Sequence, residues 1–173
     1  MNGMAWVRIL IGAVWLNGAL EKLLSPSFPQ QLATSLEAGG FVTLAPPWFQ
    51  GIMRGIVVPN AELFAQLSRF GELFLGLALI LGLLTNPAAI GSILLSLGLL
   101  FSAGGVRLGT GLGAPEFLNI NLLVALISLT VLLSPAAKAF SLDNSIARGR
   151  PRLTLLLTNR RGGARSGTCN RRA

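Results

Sequence analysis

The 173-residue chain has no histidine and a single cysteine, Cys169. These gaps exclude several chemistries. Haem, zinc and iron–sulfur centres lack the His and Cys ligands they need, so none is expected. One cysteine cannot close an intramolecular disulfide. Neither a Ser-His-Asp nor a Cys-His catalytic arrangement can be assembled. Any redox role must use an organic cofactor or a partner subunit. Charge is scarce as well, at 12% of residues, where an average soluble domain has about a quarter. A water-facing surface so poor in charge would aggregate, whereas a lipid-facing one needs none.

The net charge of +8 is unevenly placed. Glu21, Glu37, Glu62, Glu72, Glu116 and Asp143 balance Arg8, Lys22, Arg54, Arg69, Arg107 and Lys138. The excess is a terminal block: Arg148, Arg150, Arg152, Arg160, Arg161, Arg165, Arg171 and Arg172. Beside a hydrophobic body, such a block reads as a cytoplasmic tail next to anionic lipid. No aromatic residue lies among these arginines to stack a base, so nucleic acid is not an expected partner.

Hydrophobic residues make up 52% of the chain and gather in long runs. Four are expected to cross the bilayer, over about 4–24, 62–84, 88–103 and 116–133. The first is long, has no small-x-small cleavage site after it and ends in charge, which disfavours a cleaved signal peptide. Between the first two runs lies a proline-punctuated connection, 25–60, too long for an unstructured turn. Its second half, PPWFQGIMRGIVVP, sets Trp48, Ile52 and Ile56 on one helical stripe, with Phe49, Met53 and Val57 beside it. Pro46 and Pro47 can open that helix and Pro59 can close it. The expectation is an amphipathic helix on the membrane surface, anchored by Trp48. A short membrane-embedded helix is the rival reading. Thr85-Asn86-Pro87 reads as a break between the second and third spans.

The expected fold is therefore all-α: an integral membrane four-helix bundle in 1–143, with an interfacial amphipathic helix in the first outward loop. The basic remainder, 144–173, is expected to be a disordered cytoplasmic tail. Four spans put both termini on one side, and the arginines make that side cytoplasmic. Small residues such as Gly12, Gly18, Ala19, Gly91, Ser92, Ser96 and Gly98 permit close helix packing.

Charged groups inside a bilayer need partners or water. In this topology Glu21, Lys22, Arg69, Glu72, Asn119 and Asn121 all lie toward the outer face; Glu21, Arg69, Glu72, Asn119 and Asn121 could form one polar cluster, and Lys22 is a further candidate ligand-binding residue. Arg69 and Glu72, three apart, can share a helix face. One reading is a structural ion pair. The other is a ligand site, with Glu72 accepting a proton and Arg69 and the asparagines binding oxygens of a polar ligand or quinone head group. Glu21 and Lys22 also read as interfacial snorkelling residues. Arg8 reads as a topology anchor near the inner boundary, and Trp6 and Trp15 as interface and packing residues.

Three segments resemble the DoxX/DoxD family of membrane proteins. RILIGAVWLNGALEKLLSP resembles the family's opening, with Gly18 and Lys22 in its Gly-x-x-x-Lys ending. VVPNAELFAQLSRFGELFLGLALILGLLTNPAA resembles its most distinctive stretch, in which the Gly-Glu pair falls on Gly71 and Glu72. EFLNINLLVALISLTVLL, then FSLD, resembles its last span and Leu-Asp ending. Ala137-Lys138 stands where the family often carries Gly-Arg. The resemblance spans Val7 to Asp143. It implies a multi-pass protein of the bacterial cytoplasmic membrane, similar to the DoxD-type subunit of thiosulfate:quinone oxidoreductase. Quinone is the implied cofactor, and a redox subunit and a second copy are the implied partners besides lipid. Other members are linked to oxidative-stress complexes. A non-enzymatic scaffold or assembly factor is the alternative, and a small-solute transporter is a third reading.

Overall fold

The computed structural model describes residues 3–37, 40–106, 119–138 and 141–143. The expected start of the fourth span at Glu116, the glycine-rich loop before it and the arginine tail lie outside the described residues. Seven α-helices are present among the described residues: α1 (Gly3–Leu24), α2 (Phe28–Glu37), α3 (Gly40–Leu44), α4 (Pro47–Ile52), α5 (Ala61–Leu81), α6 (Thr85–Ser102) and α7 (Ile120–Leu133). No strand occurs among them.

Three helical runs are long and apolar enough to cross a membrane: Gly3–Leu24, Pro47–Leu81 and Thr85–Ser102. The helix α7 is equally apolar but has 14 residues, about 21 Å of rise. A single cluster of buried side chains joins the long elements, with Ile11 and Trp15 of α1, Leu75 and Leu79 of α5, Ala88 and Ala89 of α6, and Val124 and Val131 of α7. Leucines and phenylalanines on the outer faces, such as Leu67, Phe70, Phe74, Leu94 and Leu126, stay exposed. Hydrocarbon solvates such a surface, whereas water would not.

The tightest interface is α1 against α5, and two glycines create it. A Cβ on Gly12 would sit 2.8 Å from the Ile80 nitrogen and 2.9 Å from the Gly76 oxygen. A Cβ on Gly76 would sit 2.8 Å from the Leu16 nitrogen. The backbones therefore touch, which is how helices associate where lipid offers no hydrophobic drive. Gly76→Leu is expected to force the pair apart and lower the thermal midpoint in detergent by the equivalent of at least about 1–3 kcal/mol. An unchanged midpoint would refute the crossing.

The proline-rich segment departs from expectation. Pro59 does not close a separate helix: α4 continues through a π turn (Met53–Val57) and a 3-10 turn (Val58–Asn60) into α5, giving one 35-residue helical run. Proline removes one N–H, and the changes of winding take up the mismatch. The Asn60 side chain also donates to the Ile56 carbonyl at 2.9 Å. On this run Met53 is buried and Phe49 and Val57 pack beside it, against Leu36 of α2 and Val42 of α3. Trp48, Ile52 and Ile56 form the exposed stripe.

The turn between α5 and α6 also falls earlier than the proline suggested. Gly82, at φ 65°, caps α5 in the left-handed conformation, and the Leu83 N–H reaches the Ala78 carbonyl at 2.9 Å. That is a glycine C-cap of the Schellman type. The Thr-Asn-Pro sequence is not a break but the first turn of α6, where proline costs no hydrogen bond.

Candidate functional site

Glu72 lies midway along α5, and its position there sets its chemistry. It falls one turn before Gly76, on the face that meets α1, and is 2% exposed. A buried carboxylate needs charge and hydrogen-bond partners. Lys22, in the last turn of α1, supplies the charge: its Nζ donates to Glu72 Oε2 at 2.7 Å. Ser68, one turn earlier on α5, donates to Glu72 Oε1 at 3.2 Å. Lys22 Nζ also donates to the Gly18 carbonyl at 3.4 Å.

Gly18 is what lets the carboxylate in. A Cβ there would come within 2.9 Å of Glu72 Oε2. The Gly-x-x-x-Lys and Gly-Glu segments thus meet across α1 and α5: glycine leaves a notch, glutamate enters it and lysine closes over it one turn later. Gly71 has open space around it, and nothing in the structure explains a glycine there. Lys22 remains a quarter exposed and has the Phe28 ring 5.8 Å away. The site is therefore a charged pair with one partly open side, capable of hydrogen bonding and of proton exchange at a carboxylate.

The other expected site residues scatter. Arg69 does not pair with Glu72; it lies over the Phe70 ring at 5.1 Å, and its buried Nε has no hydrogen-bond partner among the described residues. Three residues of helix place the two side chains about 60° apart, and Lys22 has taken the acid from the α1 side. Glu21 is exposed and takes no part in the Lys22–Glu72 pair. Asn119 caps α7, its side-chain oxygen accepting the Asn121 N–H at 2.8 Å. No hydrogen bond among the described residues links Asn119 or Asn121 to Glu72.

A second buried polar centre closes the opposite end of the bundle. Arg8 is wholly buried at this end, and Asp143 is wholly buried with its charge close by. The Asp143 carboxylate accepts the Leu84 N–H at 2.7 Å and the Thr85 N–H at 2.6 Å. Its own N–H donates to the Gly82 carbonyl at 3.0 Å. An acid at a helix N-terminus satisfies free donors and the helix dipole together. Here that acid comes from 58 residues further along the chain. Gly82 is again required, since a Cβ there would collide with the Arg8 guanidinium and Ser141.

Long apolar helices, a backbone-close helix pair and buried charges held in their midst define a multi-pass helical membrane protein. The chain belongs to the DoxD family: residues 4–157 match the family model described as TQO small subunit DoxD. No curated protein and no solved structure matches it.

Proposed function

We propose that this chain is a quinone-binding membrane subunit of a redox complex of the thiosulfate:quinone oxidoreductase type. Family membership supports the complex. The observation that carries the ligand site is the buried Lys22–Glu72 pair, open on the Lys22 side. A quinone oxygen can accept from Lys22, and Glu72 can exchange a proton with it. Arg69, with its buried unpartnered Nε one turn from Glu72, is the further donor for a ligand oxygen. Asn119 and Asn121 stand at the start of α7 as the remaining polar residues assigned to the same side of the membrane.

The same reading gives the topology. The spans α1, α5, α6 and α7 cross the bacterial cytoplasmic membrane with both termini inside, so that the α5–α6 turn is cytoplasmic and the Lys22 end of α1 faces out. The Pro47–Val57 segment then lies near the outer interface with Trp48 at the head groups. One geometric fact favours the alternative, a scaffold or assembly factor: Glu72 is already satisfied by Lys22 and Ser68, as a structural pin would be.

Protein purified in mild detergent is expected to retain quinone in its lipid extract, and Glu72→Gln to reduce retention at least tenfold. Ser68→Ala, which leaves the ion pair intact, is expected to weaken it less. Absence of quinone from wild type at any loading would remove the redox reading and leave the scaffold.

A further inference from the structure

We propose that buried hydroxyls along α6 and α7 form a proton path from the α5–α6 turn to the level of Glu72. This rests on the reading of Glu72 as the proton-exchanging acid of a ligand site. Thr85, Ser92 and Ser96 lie on one face of α6 and are wholly buried. Ser92 accepts the Trp15 indole N–H at 2.7 Å and shares a 2.7 Å hydrogen bond with Ser128 of α7. Either hydroxyl of that pair can donate, so the link can reverse its polarity, as a relay requires.

The ends of this file are incomplete. Thr85 Oγ1 and Ser96 Oγ are buried with no hydrogen-bond partner among the described residues. An orphan hydroxyl in a bilayer interior is costly, and water is the molecule that satisfies it there. Toward the turn, Arg8, Ile11, Leu79, Ala89, Ser128 and Val131 line a narrow crevice beside the Ser92–Ser128 pair. It is too narrow for a resting water, and so fills only as the helices breathe. Its lining joins buried Arg8, beside Asp143, to the Ser128–Ser92 pair.

The register brings the file to the acid. A Cβ on Gly91 would sit 3.0 Å from Leu75 Cδ2, so the Leu75 side chain of α5 packs at the level of Gly91 on α6. Glu72 lies three residues from Leu75, about 4.5 Å further from the turn, and so falls between the levels of Ser92 and Ser96. A proton entering at the turn passes along hydroxyls and transient waters and ends on the Glu72 carboxylate. Purely adhesive hydroxyls, the alternative, would be dry.

Full-length protein with ¹⁵N-labelled indoles, in phosphatidylcholine–phosphatidylglycerol nanodiscs, is transferred to D₂O and followed by NMR. The Trp15 indole is expected to exchange within minutes while the surrounding α1 amides stay protected. Ser96→Ala, which removes an unpartnered hydroxyl and adds no bulk, is expected to slow Trp15 exchange at least tenfold. Protection of Trp15 for days in wild type overturns the path, and so does equal exchange in wild type and Ser96→Ala. Decylubiquinone titration of the same samples tests the ligand site separately. A wet Trp15 with no quinone binding would sink the site and leave the path without its destination, which overturns it too.

Discussion

Asp143→Ala is expected to strip the membrane domain of most of its stability, seen as a collapsed thermal midpoint or as failure to accumulate. Two N–H donors at the start of α6 lose a charged acceptor, at about 1 kcal/mol or more each. Wholly buried Arg8 loses the carboxylate beside it, and removing one partner of a buried pair costs about 3–5 kcal/mol. A domain stable by about 5–15 kcal/mol tolerates little of this. Asp143→Asn keeps an oxygen for one N–H and should fall between. Arg8→Met placed on Asp143→Asn should recover part of the loss, because the stranded cation goes with it. Thermal unfolding in nanodiscs checks the series. An Asp143→Ala midpoint within a degree or two of wild type would show that the capping carboxylate does not hold the turn.

The hydrophobic runs were readable because hydrocarbon thickness leaves a length signal that neighbouring residues cannot mask. That signal placed α1, α5 and α6 within a few residues. It misplaced boundaries where backbone chemistry competed with composition. Pro87 looked like a breaker but sits in a first turn, and Pro59 looked like a terminator but is absorbed by a π and a 3-10 turn. The helix α2 was legible in principle, since Phe28, Leu32 and Leu36 recur every four residues and two of them pack toward Met53. Five prolines in the same stretch obscured it.

The site was half legible. Glu72 stands out in the sequence as a charge deep in a span, and Lys22 as a candidate near the outer face; the structure joins them. Sequence spacing favoured Arg69 for Glu72 because it compares neighbours on one helix, whereas the partner is 50 residues away on another. Gly18 carried the missing signal. A glycine one turn before a partly exposed lysine, on a helix otherwise rich in bulky residues, marks where something must enter. Nothing local could reveal that Arg8 and Asp143 meet, since that contact depends on the chain end returning to the α5–α6 turn.

Loss of Lys22 is expected to have the second largest effect. Lys22→Met leaves Glu72 buried at 2% exposure with only Ser68 as a donor. The cost should be about 2–4 kcal/mol, below that of a fully buried pair because Lys22 is a quarter exposed. Glu72→Gln should cost less, since the amide still accepts from Lys22 or Ser68 and the freed lysine can turn outward. Quinone binding should fall in both variants, because each removes one side of the pair.

The decisive experiment is a double-mutant cycle on Lys22→Met and Glu72→Met, read as thermal stability in nanodiscs. If the two charges hold each other inside the bundle, the double variant should be clearly more stable than the sum of the single losses implies, by about 2 kcal/mol or more. Simple additivity would mean that they do not interact there, and the site built on them would not exist.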